Sequence, residues 1–377
     1  NWYDSHSLQP LLPTYISTVD SGNLAGHLLR LREGLLALPD DRILGSRVFE
    51  GISDTIGVLE DLDGKTASDK LAQLRKLLKS AIDSPPTSLS AARLCLDRLA
   101  TSAAEVCTGV NVLNADPESQ EHWWAHSLAG QCRAVLNDLT FLAAWTLLPA
   151  SSGRDGDRLR ETRDIDEIPT LRRLANLEAE LLWAIEGRPT SNETSESVWT
   201  GERRHLIKEA SRRAGARIRV IEGLARQIDE LTHMEYDFLY DEASNLLAIG
   251  YNVGERRRDP SYYDLLASEA RFCSFIAIAQ GQLPQESWFA LGRLLTTAGG
   301  EQILLSWSGS MFEYLMPLLV MPTYEHTLLD QTCKAAVARQ IEYGRKRGVP
   351  WGSSESGYNA IDVHLNYQYR AFGVPGL

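Results

Sequence analysis

Residues 20–38 read DSGNLAGHLLRLREGLLAL, with leucines at positions 24, 28, 31, 35 and 38. Steps of three and four residues follow the turn of an α-helix, so this stretch predicts an amphipathic helix with its leucines along one face. Similar stripes recur along most of the chain, separated by short polar breaks such as SPPTS at 84–88. The pattern therefore predicts about eleven helices, the last of them beginning near residue 359.

One segment departs from the helical pattern. Residues 238–240 and 246–251 are mostly apolar or aromatic and flank DEASN at 241–245, which predicts a small β-hairpin. No fixed repeat of about 34 or 40 residues runs through the chain, which disfavours a solenoid. We expect an all-α fold, and the length suits an (α/α)6 toroid of two concentric helix rings forming a single domain over residues 1–377.

The charge balance bears on the partners of the chain. Among 377 residues, 38 are Lys or Arg and 50 are Asp or Glu, which gives a net charge of −12. An acidic surface repels phosphate backbones, so we expect no nucleic-acid partner. No apolar run reaches the roughly 18 to 20 residues of a membrane span, and the N-terminus carries no signal peptide. The sequence starts without Met and ends on turn residues, which we interpret as a segment of a longer polypeptide.

Metal and cofactor motifs are missing from the sequence. The five cysteines are odd in number, widely spaced and free of CxxC pairs, so we expect reduced thiols with no disulfide framework and no zinc site. The histidine pair at positions 122 and 126 lacks the glutamate of an HExxH motif, and no nucleotide-binding glycine motif occurs. We therefore expect neither a metal nor a cofactor.

Aromatic residues are enriched between residues 301 and 377, where they alternate with carboxylates and amides. Sugar rings stack on indole and phenol faces while planar polar groups bind their hydroxyls, so the composition favours a carbohydrate site. Aromatic side chains of helix cores are the alternative interpretation.

Two glutamates have apolar neighbours. Asp259-Pro260 predicts a helix start, with Glu269 in the middle of the apolar face that follows. Burial raises the pKa of a carboxyl group, which a general acid near neutral pH requires; a core glutamate paired with Arg271 or another arginine is the alternative. Glu313 is expected to face inward, in binding or catalysis, and Pro317 removes the hydrogen bond to its carbonyl and predicts a kink.

A third glutamate, Glu355, lies in a predicted loop of small residues at 350–359, PWGSSESGYN. Small residues let a substrate approach the backbone closely. The alternative is that Glu355 only stabilises a nearby helix N-terminus.

Longer blocks at 15–24, 237–252, 259–271, 306–317 and 350–377 resemble the glucoamylase-like domain of bacterial cyclic β-1,2-glucan synthases. The resemblance implies a segment of a large inner-membrane polypeptide, on the cytoplasmic side and tethered through segments outside this sequence. Its implied partners are a linear β-1,2-glucan chain and the glycosyltransferase and phosphorylase-like domains of the same polypeptide. It also implies an (α/α)6 barrel that closes the glucan ring by transglycosylation with retention.

The resemblance also implies roles for individual residues. Its Ser-Glu-Ala-Arg motif makes Glu269 the acid/base, and its Ser-Glu-Ser motif makes Glu355 the nucleophile, although Ser353 stands where isoleucine is expected. Retaining pairs stand about 5 to 5.5 Å apart, and inverting pairs about 6.5 to 9.5 Å. Asp20 could instead cap the helix that follows it. The residues expected to bind sugar are Glu313, Trp307, Trp351, Tyr358, Asn359, Tyr367, Asp20, Asn23, Tyr240 and Asp241.

Three functions follow from these expectations. The first is a retaining transglycosylase that cyclises linear β-1,2-glucan. An endo-β-1,2-glucanase on a similar barrel would use water as the acceptor. A non-catalytic module would only hold the glucan for the neighbouring domains.

Overall fold

The structure is a computed structural model that describes residues 3–62, 69–113, 118–148, 165–186, 194–267, 269–306, 309–361, 363, 367–371 and 373–375. Only the backbone is described at 111–113, 181–186, 194–200, 355–361 and 367–371. No helix in these ranges is both long and apolar enough to cross a membrane.

Helices dominate the described residues, so the predicted all-α class is confirmed, while the toroidal arrangement stays a prediction. Short 3₁₀ helices lie at Leu38–Asp40, Ala144–Leu147 and Met316–Leu319. The α-helices are α1 Thr18–Ala37, α2 Arg47–Leu62, α3 Asp69–Asp83, α4 Leu89–Leu113, α5 Gln120–Leu142, α6 Leu171–Glu186, α7 Thr194–Thr232, α8 Ala270–Ala279, α9 Glu286–Ala290, α10 Met311–Leu315 and α11 Leu328–Arg347.

The strands are short and antiparallel, and they form one three-stranded sheet in the order β1-β4-β5 and three hairpins, β2-β3, β6-β7 and β8-β9. The β2-β3 pair confirms the predicted hairpin. The strands are β1 Tyr15–Ser17, β2 Tyr240–Asp241, β3 Leu246–Leu247, β4 Gly250–Asn252, β5 Arg257–Arg258, β6 Leu295–Ala298, β7 Glu301–Leu304, β8 Glu355–Ile361 and β9 Tyr367–Ala371.

The chain forms two compact units. The first unit comprises Asn1–Gly34 and Leu224–Leu377, and the second comprises Leu35–Gly223. The second unit is helical, and its leucines and isoleucines at helical spacing form one core, with Ile52, Leu74, Leu96, Leu128 and Leu174 fully buried. The first unit carries all the strands described above and every predicted site residue that the structure describes.

Small residues, rather than leucines, form the packed face of α1. Leu24 is 55% exposed, whereas Gly22, Ala25 and Gly26 are buried. A Cβ atom on Gly22 would overlap Cys273 of α8, and one on Gly26 would overlap Phe272. The two glycines therefore let the backbone of α1 pack directly on α8, the helix that follows Glu269.

The expected helix start at Asp259-Pro260 is wrong, because α8 begins only at Ala270. The backbone amides that a helix would need are bonded elsewhere. The Leu265 amide donates to the Gly292 carbonyl, 3.0 Å away, and the carboxylate of Asp264 accepts from the amides of Leu266 and Ala267 at 2.8 and 2.7 Å. Such local side-chain bonds compete with a helix.

The expected last helix from about residue 359 is also wrong, because 355–371 contains the β8-β9 hairpin. Tyr367, Tyr369 and Ala371 recur at the two-residue period of a strand. A further hairpin, β6-β7, turns at Gly299-Gly300, whose φ angles of +63° and +90° only glycine adopts without strain.

Candidate active site

Glu269 lies at the N-cap position of α8, immediately before Ala270, and not in the middle of a helix face. Its side chain is 8% exposed, as the prediction of a buried carboxylate requires. The bends at 265–267, fixed by the Asp264 side chain, bring the chain to this position. The burial of the Glu269 side chain therefore comes from the turn before α8 and not from a position on the apolar face of a helix.

Arg271, two residues further along, links α8 to α10. Its guanidinium is 2% exposed and donates to the carbonyls of Glu313 and Tyr314 at 2.6 and 2.7 Å. The carbonyl of Glu313 is the one that Pro317 leaves without its helical donor. At this point α10 changes to the 3₁₀ turn Met316–Leu319, and the arginine occupies the freed acceptor, while the kink expected at Pro317 stays a prediction.

Glu313 itself is 3% exposed, so the prediction that it faces inward is confirmed. It lies in the first turn of α10, where the Ser310 hydroxyl accepts from its amide at 3.4 Å. Because Arg271 of α8 binds the carbonyls of Glu313 and Tyr314, it holds α10, which carries Glu313, against α8, which begins directly after Glu269.

Glu355 is the first residue of β8 and not part of a loop, and its side chain lies outside the described atoms. The residue before it is tied to α10, because the Phe312 amide donates to the Ser354 hydroxyl at 2.8 Å. Phe312 and Ser354 are the immediate neighbours of Glu313 and Glu355. Hydrogen bonds through Arg271 and Ser354 thus connect the elements that carry Glu269, Glu313 and Glu355.

Tyr263 lies half-buried among acidic groups. Burial, followed by the negative charges of Asp20, Glu269 and Asp259, raises the pKa of its phenol. At neutral pH this hydroxyl therefore keeps its proton and can donate a hydrogen bond. Asp20 and Glu269, far apart in sequence, thus both act on the charge state of the same ring.

Asp264 belongs to the same acidic region. Burial raises the pKa of its carboxyl, two backbone amides oppose that change, and the charge of Glu313 adds to it. Since Asp264 also fixes the bend before Glu269, it connects the surroundings of Glu313 with those of Glu269. Within the described residues, no group of three or more His, Cys, Asp or Glu side chains has an arrangement that could hold a metal ion.

Asp20 and Asn23 lie in the first two turns of α1. The alternative that Asp20 caps this helix is wrong, because the Ser17 hydroxyl accepts from the Asp20 amide at 3.3 Å and so provides the cap. The side chain of Asp20 is exposed, and Oδ1 of Asn23 is buried with no hydrogen-bond donor among the described residues. The Asp20 side chain is therefore accessible to a ligand hydroxyl, whereas Oδ1 of Asn23 is enclosed by the protein.

Tyr240 and Asp241 are bound by residues of their own hairpin and of the chain that follows it. The Tyr240 hydroxyl donates to Oδ1 of Asn245 at 3.0 Å. The Asp241 carboxylate accepts from Ser244, from the Tyr262 hydroxyl at 2.7 Å and from Arg258 at 3.3 Å. These contacts favour a structural role for Asp241, and its predicted sugar contact stays a prediction.

Asp241 gives the hairpin a pH dependence. Hydrogen bonds from Ser244 and Tyr262 lower the pKa of its carboxyl from 3.8 to about 2. Because this pKa is lower in the folded than in the unfolded protein, the ionised carboxylate stabilises the fold at pH values above the unfolded pKa. That stabilisation is lost as the pH falls from about 4 toward about 2. We expect Asp241→Asn to lower the urea midpoint at pH 7 and to have less effect near pH 3. Urea unfolding at several pH values measures this difference.

The exposed Glu242→Gln serves as the control, since it removes a charge next to Asp241 without touching these bonds. A destabilisation by Asp241→Asn that is equal at pH 7 and pH 3 contradicts the prediction.

The structure describes the remaining predicted residues to different extents. The indole of Trp351 is 56% exposed and lies in the loop before β8. The backbones of Tyr358, Asn359 and Tyr367 lie in the β8-β9 hairpin, and their side chains lie outside the described atoms. Trp307 lies outside the described residues. The sugar-binding roles of all five stay predictions.

A separate apolar cavity of about 530 Å³ lies in the first unit, with Phe275, Ile278, Trp288 and Phe289 in its walls. None of the predicted site residues is among its described lining residues. Glu269 and Glu313 therefore do not line this cavity, although Leu265, next to Asp264, forms part of its wall.

Comparison with known proteins identifies a relative. No family model matches the chain. Over its full length, across 396 aligned positions, the chain is 33% identical to a segment of the cyclic beta-(1,2)-glucan synthase NdvB of Rhizobium meliloti (strain 1021). The resemblance to a cyclic β-1,2-glucan synthase is thereby confirmed. The chain spans 11% of the length of this synthase, so it corresponds to one segment of such a polypeptide.

In this chain, sequence reasoning missed Tyr263 and Asp264 and did not foresee the contacts of Arg271 with the carbonyls of Glu313 and Tyr314. All three lie within the SYYDLLASEAR block at 261–271 that carries the resemblance. The signal that could have found them was their closeness in sequence to Glu269. The predicted helix obscured this signal, because it placed these residues on different helix faces. Arg271 was considered only as a partner of Glu269, and its bonds to two carbonyls 42 and 43 residues away are visible only in the fold.

Proposed function

We propose that this chain is the retaining transglycosylase segment of a cyclic β-1,2-glucan synthase and closes linear β-1,2-glucan into rings. The full-length similarity to NdvB, which is named as a cyclic β-(1,2)-glucan synthase, supports the substrate. The observation that carries the proposal is the hydrogen-bonded connection of the Glu269, Glu313 and Glu355 elements through Arg271 and Ser354. Two buried glutamates, together with a third at the start of a connected strand, are suited to acid/base and nucleophilic chemistry.

In the first step Glu355 attacks C1 of the glucosyl unit at the linkage to be broken. The bond from C1 to the oxygen of the next unit breaks, and protonated Glu269 gives its proton to that oxygen. The segment on the reducing side leaves, and the remaining chain is held as an ester of Glu355.

In the second step the 2-hydroxyl at the far end of the same chain is the acceptor. Glu269 takes its proton, the oxygen attacks C1, and the ester bond to Glu355 breaks. Two inversions restore the β configuration, and one glycosidic bond is exchanged for another without net use of water. If water reaches C1 first, the product is a linear chain.

The sugar contacts are part of the proposal. We assign sugar binding to Asp20, whose side chain is exposed, and to Asn23, which lies one turn further along the same helix. Trp351 offers an exposed indole for stacking. Glu313, Trp307, Tyr358, Asn359, Tyr367, Tyr240 and Asp241 complete the proposed set.

The setting of the reaction is also proposed. The chain works within a longer polypeptide on the cytoplasmic side of a bacterial inner membrane, and a glycosyltransferase domain of that polypeptide supplies the linear glucan. A phosphorylase-like domain trims the same chain. A single (α/α)6 domain is the arrangement proposed for residues 1–377.

Incubation of the chain with linear β-1,2-glucan, followed by mass spectrometry, tests the proposal. We expect products one water lighter than the linear series, and no such products with Glu269→Gln. Only shorter reducing oligosaccharides would make the protein an endo-β-1,2-glucanase. Binding without new products would make it a glucan-holding module. Either of these two results overturns the proposal.

A further inference from the structure

Gln340 is a buried polar residue of α11 that contacts the base of the β8-β9 hairpin. Its side chain is 1% exposed. Oε1 accepts from the Gly352 amide at 2.6 Å, and Nε2 donates to the Ser353 carbonyl at 2.6 Å and to the Gly373 carbonyl at 3.4 Å. One amide group therefore binds the chain just before β8 and just after β9.

The opposite side of the same hairpin base is bound to residues at the start of α10. The Ser354 hydroxyl accepts from the Phe312 amide, and Gly373 forms an antiparallel bridge with Ser310. A Cβ atom on Gly373 would overlap the carbonyl of Gly309, so the backbones are in close contact here. The hairpin base is thus held between α10 and α11.

Glu355 is the first residue that extends from this base. Glu355 pairs with Ala371 in the first register position of the hairpin. Glu355 lies two residues after Ser353, and Ala371 lies two residues before Gly373. Every backbone group that Gln340 binds therefore lies within three residues of this pair.

We propose that Gln340 is a positioning residue for Glu355: it fixes the start of β8 so that the nucleophile meets the anomeric carbon. The inference rests on the proposed function. Gln340 does not touch the substrate and acts only through the backbone of residues 352–355. A displacement of about 1 Å in a reacting group is sufficient to lower the rate about 100-fold, because attack requires a near-ideal approach.

The primary test compares Gln340→Met with wild type and with Gln331→Met. Methionine nearly preserves the volume of Gln340 but removes all three hydrogen bonds. We expect kcat on linear β-1,2-glucan to fall between about 10- and 100-fold per folded molecule, with KM changed less than about threefold. Gln331 is exposed on the same helix, so Gln331→Met is expected to leave both constants unchanged.

A second variant separates positioning from general stability. Gln340→Glu has the shape of glutamine but, when ionised, cannot donate to the two carbonyls. Protonation restores one donor, and the surrounding carbonyls and burial raise the pKa of the introduced carboxyl. We therefore expect the ratio of its kcat to that of wild type to rise at least about fivefold between pH 8 and pH 5, while the ratio for Gln340→Met stays flat.

Hydrogen exchange provides a readout that does not depend on activity. In Gln340→Met we expect faster exchange of backbone amides at 355–361 and 367–371 than in wild type, with helices of the second unit unchanged. If wild type is active and the kcat of Gln340→Met lies within twofold of the wild-type value, the positioning role alone is overturned. Wild type that neither cyclises nor cleaves the glucan overturns the proposed function and the positioning role with it.

Discussion

Glu355→Gln and Glu269→Gln are each expected to lower the turnover of linear β-1,2-glucan by at least about 1,000-fold. An amide at position 355 cannot form the glycosyl ester, and an amide at position 269 cannot give up a proton to the departing oxygen. Both substitutions preserve side-chain size, so we expect the unfolding midpoint in urea to change little. Initial rates on linear glucan and urea unfolding of the same samples measure the two quantities.

An activated substrate distinguishes the two roles. A dinitrophenyl glycoside of a short β-1,2-glucan has a leaving group that needs no proton, so Glu269→Gln is expected to release dinitrophenolate in a rapid first turnover. Glu355→Gln is expected to show no such release, because the nucleophile is missing. Glu286→Gln, an exposed position on α9, serves as the control with wild-type rates. Near-normal turnover of linear glucan by either site variant removes that residue from the mechanism.

Arg271→Met is expected to destabilise the first unit by about 3 kcal/mol, the cost of leaving two buried carbonyls without donors. Burial lowers the pKa of this guanidinium, so the arginine carries a desolvation cost that its substitution relieves in part. Lysine at this position keeps the charge but lacks the two-pronged donor geometry, so Arg271→Lys is expected to be destabilised as well. Urea unfolding followed by tryptophan fluorescence gives the free energies.

Arg257→Met is the matched control for this substitution. Arg257 is exposed and its pair with Glu255 lies at the surface, so its loss is expected to cost less than about 1 kcal/mol. Equal stability of Arg271→Met and Arg257→Met would show that the bonds to Glu313 and Tyr314 contribute nothing net to folding.

The apolar pattern predicted a helix correctly where no other acceptor competed with the helix for its backbone amides. The stripe around residues 89–110 predicted α4 because its leucines and alanines repeat at the helical period. The outside acceptors at this helix, the Asp166 carboxylate for the Ser90 amide and the Ser88 hydroxyl for the Ala91 amide, bind amides of its first turn, which have no partner within a helix. At 260–267 the same period was misleading, because the Asp264 carboxylate and the Gly292 carbonyl take the amides first. Composition does not show such long-range acceptors.

The candidate site was predictable to a similar extent. Apolar neighbours correctly predicted that Glu269 and Glu313 are buried, and Pro317 lies where α10 changes to a 3₁₀ turn. The sequence could not show that Arg271 occupies the carbonyl freed by that proline, since the two lie more than 40 residues apart. The glycines of α1 are a similar case, because only the position of Phe272 explains why Gly26 has no side chain.

The division of the chain into units has a consequence for biosynthesis. The proposed catalytic unit is assembled from residues 1–34 and 224–377, and β1 pairs with β4 through Tyr15 and Asn252. The intervening helices form a continuous stretch with its own core, which can pack as soon as it leaves the ribosome. The N-terminal strand must wait for its partner until more than 200 further residues have been translated. The proposed catalytic unit can therefore assemble only late in translation, after the helical insert has emerged.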